Sequence, residues 1–412
     1  MNTGILFCFI VEVSEENLRK HIRYLASPEL DGREFNTKGD ELAAEYIHNC
    51  FHEYGLEAPS QFPDYIQKLP EGGQNVIGIL RGSDERLQEE CIIVDAHHDH
   101  VGNGFLGASD NAAGVAVLLE LARIFGKIGT KRTLLFTCFD AEEQLLSIKG
   151  RKQMMYGASY YILDPVFDIK RIFAMLTLDT LGRNVLGDLI FILGAEHSLL
   201  IQDIVYECQT NLRKIMFEVD MLTGIKGNYI PFVEKKIPSL FITNGMHKDY
   251  HSTNDTENRL QYGLLIEDTR FVRELVSKLS DSDGKPDFCK NPIPPKSEVE
   301  DILYLLKLLQ GLIRKTSSDA DRFDYIISKL EERPKKEDLR HAVQIILGFM
   351  TPNYAKLYLL LNDAQMAEKK KEHSVALQHY KEIIALYDQY RIPYLWLQDI
   401  NDKIAKLEEK SR

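Results

Sequence analysis

Residues 91–114 read CIIVDAHHDHVGNGFLGASDNAAG, a short apolar run followed by a glycine-spotted loop that carries three histidines and three aspartates. A short apolar run rich in β-branched residues is typical of a buried strand. A helix-like segment, AAGVAVLLELARIF, follows at 112–125. In open α/β sheets, ligands bind outside the carboxyl ends of the strands. This loop is therefore a candidate functional site.

The same alternation of strand and helix patterns continues on both sides of this stretch. Helical spacing of apolar residues runs from about residue 14 to 55, and another helix-like segment covers 197–212. Strand-like apolar runs lie at 75–80, 91–96, 133–139, 172–178, 189–194 and 238–243. Near-continuous apolar strands between helices indicate an α/β fold, with a mostly parallel mixed sheet sandwiched between helices.

The composition changes near residue 284. Residues 284–297 contain four prolines and predict a linker, whereas the sequence from 298 to 412 has helical patterns throughout. The chain is therefore predicted to consist of an α/β domain (1–283), a proline-rich linker (284–297) and an all-α C-terminal domain (298–412). The C-terminal helices are a candidate surface for self-association or for a partner.

Charge and composition exclude several classes of protein. The net charge of −12 does not suit nucleic-acid binding, which needs a basic surface. No apolar run approaches the roughly 20 residues of a membrane span. The apolar stretch 5–11 lacks a basic region before it and a small-residue cleavage site, so no clear signal peptide is present and a cytoplasmic location is favoured. A truncated signal and export stay open.

Side chains that can bind metals recur at four strand ends. Each has an ordinary structural alternative: Asp110 could cap the following helix, and the Glu142–Glu143 pair could be a solvated helix start. Their joint occurrence at one edge of one sheet favours a metal site instead. The residues concerned are His97, Asp99, Asp110, Glu142, Glu143, Asp179 and His251.

These residue types suit one chemistry. Imidazoles and carboxylates without thiolates are appropriate for zinc or a comparable divalent ion. A pair of metals bridged by a carboxylate and a water generates a hydroxide nucleophile and polarises a carbonyl. Such a site also needs a general base that is not a ligand, and the Glu142–Glu143 pair offers one residue for each role.

The motifs resemble the co-catalytic zinc aminopeptidase family, which also includes glutaminyl cyclases and glutamate carboxypeptidases. The upstream segment 22–47 is similar to this family as well, and the resemblance covers roughly residues 14–280. The motifs that carry it are His97-His98-Asp99, Gly107-Ala108-Ser109-Asp110-Asn111-Ala112-Ala113-Gly114, Ala141-Glu142-Glu143, Asp179, and Tyr250-His251 with Asp255-Thr256.

The resemblance implies a zinc exopeptidase-like fold, two divalent metal ions (zinc above others) and a role for each matching residue. It implies that His97 and Asp179 hold one metal, that Glu143 and His251 hold the other, and that Asp110 bridges them. Glu142 would be the general base and Asp99 would orient His97. Tyr250 is either a donor to the oxyanion or a packed aromatic. His98, His100 and His247 have no role in the family and are interpreted as loop or core residues.

The resulting hypothesis is a metal-dependent exopeptidase that removes N-terminal residues from peptides. Three alternatives remain: a glutaminyl-cyclase-like enzyme, a carboxypeptidase and an inactive peptide-binding relative. Cyclases of this fold tend to carry tryptophan near the metal, whereas the single tryptophan here is Trp396. The family usually continues directly after its AEE motif, but residues 144–156 form an insertion with Lys149, Arg151 and Lys152, so substrate preference cannot be transferred from relatives.

Overall fold

The structure is a computed structural model. It describes residues 11–148, 151–184, 186–222, 227–289, 291–312, 318–350, 360, 364, 367–368, 370–390 and 397–410. Trp396 and Lys149 lie outside the described residues, as do residues 1–10, to which the signal-peptide interpretation applies.

The strands are β1 (Ile66–Lys68), β2 (Gln74–Leu80), β3 (Cys91–Asp95), β4 (Thr133–Cys138), β5 (Leu146–Ile148), β6 (Arg151–Gln153), β7 (Ile172–Leu178), β8 (Leu189–Leu193), β9 (Arg213–Ile215) and β10 (Ser239–Thr243). Eight of them form one mixed sheet in the order β1-β2-β4-β3-β7-β10-β8-β9. The four central strands, β4, β3, β7 and β10, are parallel to one another, so their carboxyl ends lie at one edge. Strands β5 and β6 form a separate antiparallel hairpin.

The helices before the predicted linker are α1 (Glu15–Leu25), α2 (Lys38–Glu53), α3 (Gly114–Ile128), α4 (Tyr156–Leu163), α5 (Leu199–Glu207), α6 (Ile230–Glu234) and α7 (Tyr262–Asp281). Beyond it, the described residues contain α8 (Glu298–Leu312), α9 (Ser318–Glu332), α10 (Lys336–Met350), α11 (His373–Tyr390) and α12 (Leu397–Lys410). No helix among the described residues combines the length and apolarity that crossing a bilayer requires.

The two faces of the sheet belong to two apolar cores. Alternate residues of a strand point to opposite faces, and in β3 the side chains of Ile92 and Val94 pack with α1, α2, α3, α5 and α7. Ile93 points to the other face, where its cluster includes buried residues of α8, α9 and α10. Both faces are thus covered by helices, which explains why the central strands are apolar along their whole length.

The predicted fold class is confirmed: a mixed sheet lies between helices and a helical region follows it. All six strand-like runs of the sequence form strands of this sheet. The short strands β1 and β9 were not predicted, because each has only three residues and includes polar ones.

The proline-rich segment lies against the α/β part of the chain. The backbone amides of Cys289 and Ile293 donate to the carbonyl oxygens of His197 and Glu196 at 2.7 and 3.0 Å. The Phe288 ring stacks on the His197 ring with centroids 4.9 Å apart. The boundaries 1–283, 284–297 and 298–412 stay a prediction, but helices α8 to α10 share a buried cluster with the sheet.

Candidate active site

The candidate residues lie at the carboxyl edge of the central strands. His97 and Asp99 follow β3, the Glu142–Glu143 pair follows β4, and Asp179 directly follows β7. His251 lies in the loop after β10, and Asp110 lies just before α3. All of these side chains are buried. The structure therefore brings all five predicted metal ligands and the predicted base together.

One cluster consists of His97, Asp110 and Asp179. The Nε2 atom of His97 lies 3.3 Å from Oδ1 of Asp110 and 3.6 Å from Oδ1 of Asp179. Burial alone would lower the pKa of His97, but contact with Asp110 and Asp179 raises it well above its usual value. These carboxylates thus stabilise a positive charge at this position, which is what a bound divalent cation would supply.

A second cluster consists of His100, Asp110, Glu143 and His251. The Nε2 atom of His251 lies 2.9 Å from Oε1 of Glu143 and 3.0 Å from Oδ2 of Asp110. Asp110 is common to both clusters, as a bridging carboxylate must be. Oε2 of Glu143 and both ring nitrogens of His100 are buried without a hydrogen-bond partner. Buried polar atoms without partners are costly, so the residues of this cluster fit a metal ion.

His100 is the member of the site that sequence reasoning missed. Its Nδ1 atom lies 3.6 Å from Oε1 of Glu143 and 3.7 Å from Oδ2 of Asp110. Its ring meets the His251 ring edge to face, with centroids 5.5 Å apart. The signal was present in the sequence, because His100 directly follows Asp99 in the strand-end loop that carries the other candidate residues. His98 instead contacts Asp40 at 3.1 Å, and His247 belongs to neither cluster.

Asp99 connects His97 to the Glu142–Glu143 pair. Oδ1 of Asp99 lies 3.6 Å from Nδ1 of His97, on the side of the ring opposite the cluster. The two carboxylate oxygens of Asp99 also accept hydrogen bonds from the backbone amides of Glu142 and Glu143, both at 3.1 Å. Asp99 thus fixes the backbone from which both glutamates project. The sequence indicated only its contact with His97.

Asp255 fixes the position of Asp110. Its carboxylate accepts hydrogen bonds from the backbone amides of Ser109 (3.0 and 3.1 Å) and of Asp110 (3.1 Å). The peptide bond between Asp110 and Asn111 is cis, and the Asn111 side chain donates to the carbonyl oxygen of Leu178 at 2.9 Å. The segment that carries Asp110 is therefore tied both to the loop after β10 and to the end of β7.

Glu142 forms a third metal-competent cluster with His97 and Glu143, but it belongs to neither cluster that contains Asp110. Burial raises the pKa of Glu142 well above its usual value; His97 opposes this, and the neighbouring carboxylates Glu143, Asp179 and Asp99 add to it. A carboxyl group whose pKa lies closer to neutrality accepts and returns a proton more readily. Glu142 is thus suited to the base role.

Two further polar residues of the site have defined neighbours. The half-buried Tyr250 stacks on His251, with ring centroids 4.0 Å apart, and lies at the rim of the site. The Arg183 guanidinium donates to Oδ2 of Asp249, which also accepts from Arg259 at 3.0 Å. Arg183 is the cation of the motif loops that could bind a substrate carboxylate; its Nη2 is paired with Asp249, and its Nη1 is buried without a hydrogen-bond partner.

The sequence and the fold connect this site to known proteins. Residues 75–276 match the profile of peptidase family M28. This segment belongs to that family. A probable zinc metalloprotease of Pyrenophora teres f. teres is 28% identical over 201 residues, which are 43% of this chain and 41% of that protein. Aminopeptidase YwaD of Bacillus subtilis is 27% identical over 245 residues, 57% of this chain and 50% of that protein. This chain thus spans half or less of the length of these two relatives.

The fold is shared with an enzyme of different activity. A glutaminyl cyclase of Bacteroides thetaiotaomicron superposes with a TM-score of 0.52 at 16% identity, covering 65% of this chain and 99% of that structure. The predicted membership of the co-catalytic zinc aminopeptidase family is therefore confirmed, and the zinc exopeptidase-like fold with it. The likeness of fold does not distinguish aminopeptidase from cyclase activity.

Proposed function

We propose that this protein is a zinc-dependent aminopeptidase that hydrolyses N-terminal residues from peptides. The observation that carries the proposal is the pair of buried clusters joined by Asp110, with the Glu142 carboxyl group beside them. Such an arrangement has a position for two cations and a separate proton acceptor. The M28 membership of residues 75–276 supports the same class of reaction.

The chain's own residues supply the metal positions. His97 and Asp179 would hold one zinc ion, Glu143 and His251 would hold the other, and Asp110 would bridge them. When bound, the two ions polarise a substrate carbonyl and lower the pKa of a bound water. Imidazole and carboxylate ligands without thiolate are consistent with zinc in such sites.

The remaining residues of the site would move protons and maintain geometry. Glu142 would accept the proton of the attacking water and return it to the leaving amine, a role that its raised pKa supports. Asp99 would keep His97 and the backbone of both glutamates in position. Tyr250 would offer its hydroxyl to the oxyanion from the rim of the site.

Two observations favour this proposal over its alternatives. A carboxypeptidase needs a cation for the substrate's terminal carboxylate, whereas Nη2 of Arg183 is paired with Asp249 and its unpartnered Nη1 is buried. An inactive relative would lack a ligand or the base, whereas all five ligands and Glu142 meet in one site. A single-zinc cyclase would not need the complete set of residues for a second ion.

The test compares three forms of one peptide after zinc loading: the free peptide, its N-acetylated form and its C-amidated form. We expect cleavage of the free and amidated peptides and none of the acetylated one. If the acetylated peptide is hydrolysed and the amidated peptide is not, the enzyme is a carboxypeptidase. Cyclisation of an N-terminal glutamine without peptide hydrolysis would favour the cyclase. Metal analysis of the same preparation should give two zinc ions per chain.

A further inference from the structure

An apolar pocket opens directly from the candidate active site. Its polar end is formed by Asp110, Glu142, Glu143 and Asp179, with Tyr250 at the rim. Its other end is apolar, and the sheet contributes Phe191, Leu193 and Phe241 from β8 and β10 to that end. The two ends meet in one continuous cavity.

Helix α10 provides the opposite wall of this pocket. Val343, Ile346, Leu347 and Met350 line it, and they follow one another at the three- and four-residue spacing of a single helix face. Residues 336–350 lie outside the segment that matches the M28 family. The wall therefore comes from a part of this chain that the family profile does not cover.

Helix α10 is held in place by polar contacts as well as by packing. The Gln344 side chain donates to the carbonyl oxygen of Met221 at 3.0 Å, and Arg340 donates to Asp220 at 3.2 Å. Lys336 pairs with Glu218. These three contacts all reach the segment that precedes Leu222, which also lines the pocket. The helix is thus fixed relative to the site.

The approach of α10 to the loop after β10 requires a residue without a side chain. Gly245 has φ +86°, and a Cβ atom built on it would lie 2.5 Å from Cε of Met350. That distance is far below van der Waals contact, so any larger residue at 245 would push Met350 away. Glycine at this position allows the apolar wall to close directly against the site.

We propose that α10 is the specificity wall of the enzyme, and that it selects peptides whose N-terminal residue has an apolar side chain of medium size. The inference rests on the proposed function. In an N-terminal residue the ammonium group and the side chain leave the same Cα atom, so they diverge within two bonds. The polar end of the pocket, where the proposed metal ligands lie, receives the amino group, and the apolar end, closed by α10, receives the side chain.

The size of the pocket sets the expected preference. Its volume of about 60 Å³ is several times the 10–15 Å³ that one water molecule needs. Because this volume includes the polar end of the cavity, it leaves room for an apolar side chain of at most about four heavy atoms, as in leucine or methionine, and is too small for that of tryptophan. A buried lysine or aspartate side chain would lose its hydration without a partner among the apolar wall residues.

Leu347 is the residue through which this wall can be tested. Val343, Ile346 and Met350 are at most 3% exposed and belong to the shared core, so truncating them would also destabilise the fold. Leu347 is half-buried and lines the pocket. Leu303 on α8 is the matched control, because it is a half-buried leucine of the same cluster that does not line the pocket.

The experiment measures kcat/KM of the zinc-loaded full-length protein for alanyl, leucyl and phenylalanyl arylamides. For the unmodified protein we expect leucyl to exceed alanyl by roughly tenfold or more, since each methylene in an apolar pocket contributes about 10–200-fold. Leu347→Ala should raise the ratio of phenylalanyl to leucyl activity by about tenfold. Leu347→Trp should reduce leucyl activity by a similar factor and retain alanyl activity. Leu303→Ala should leave the ratios unchanged.

Each outcome has one interpretation. If both Leu347 variants change kcat/KM by the same factor for all three arylamides, the specificity wall is overturned and the proposed function stands. Absence of hydrolysis of every arylamide and free peptide by the zinc-loaded unmodified protein would overturn the proposed function and the inference with it. If Leu347→Ala does not fold, Leu347→Met and Leu347→Val carry the same comparison, since they nearly preserve the packing volume.

Discussion

At the scale of single residues, the site separates two adjacent glutamates into different roles. Glu143 contacts His251 at 2.9 Å and shares a cluster with Asp110, whereas Glu142 belongs to no cluster with Asp110. Both project from a backbone that Asp99 holds through two amide hydrogen bonds. Neighbouring side chains point in different directions, so under the proposed function Glu143 would bind a cation and Glu142 would be the base.

We therefore expect Glu142→Gln and Glu143→Gln to behave differently. Glu142→Gln should lower kcat by about 10²–10⁴-fold, because the base is lost, and should leave the zinc content unchanged. Glu143→Gln should reduce the zinc content, because a ligand loses its charge. Steady-state kinetics and elemental analysis of the purified proteins measure both effects. The reverse pattern would mean that the roles of the two glutamates are exchanged.

His100 is expected to support the cation held by Glu143 and His251. Its two ring nitrogens are buried without hydrogen-bond partners and face those residues. His100→Ala should therefore weaken the binding of one metal equivalent while the other stays tightly bound, as measured by titration of the metal-free protein with zinc. His247→Ala is the control, since His247 is buried but belongs to neither cluster. If the zinc titration of His100→Ala shows both metal-binding steps unchanged, His100 does not support the cation.

At the scale of elements, one arginine of the upstream segment fixes the metal-binding loop. The Arg33 side chain is 1% exposed. It donates to the carbonyl oxygens of His98 (2.9 Å), Leu106 (2.8 Å) and Gly107 (3.1 Å), and also to that of Leu25. A planar group with five donors suits several carbonyls at once. This loop thus depends on a residue more than 60 positions away in the chain.

Arg33→Lys should therefore loosen the loop although the charge is kept. A lysine has a single nitrogen and cannot reach carbonyls on two sides, so some of them would stay buried without a donor. We expect the free energy of unfolding to fall by about 1.5–3 kcal/mol, the value of one hydrogen bond to a charged group. Urea denaturation measures the change, and exposed Arg81→Lys is the control. An unchanged midpoint would show that the loop does not need this residue.

The same elements show how far the sequence leads. The strands at 91–95, 133–138 and 172–178 were predictable, because both faces are buried and the apolar signal is continuous. The ligand types at their ends predicted the site. The contacts of Asp99 with the amides of the glutamate pair, and of Arg33 with the loop, were not predictable, since they join segments distant in sequence. Likewise, periodicity predicts that α10 is a helix but not which surface its apolar face covers.

At the scale of the whole molecule, the helical region and the sheet form one buried cluster. Ile302, Leu306 and Ile346 pack in the same cluster as Ile93 and Phe191 of the sheet. Helices α11 and α12 instead contribute to a separate, smaller cluster with Tyr380 and Ile400. We therefore expect the boundary between cooperative units to fall after α10, whereas the sequence places it at the proline-rich segment. Association of the protein through its C-terminal helices stays a prediction. It concerns α11 and α12, because α8 to α10 already pack against the sheet.

Two truncations distinguish these boundaries. A fragment of residues 1–285 would expose the apolar face of the sheet on which α8 to α10 pack, and exposed apolar patches of that kind cause aggregation. A fragment of residues 1–350 retains α8 to α10 and their shared cluster. We expect the longer fragment to be monodisperse in size-exclusion chromatography, with a single cooperative thermal transition, and the shorter one to aggregate. If the 1–285 fragment is monodisperse and unfolds cooperatively, its core is independent of the helices, and the boundary lies in the proline-rich segment as the sequence predicts.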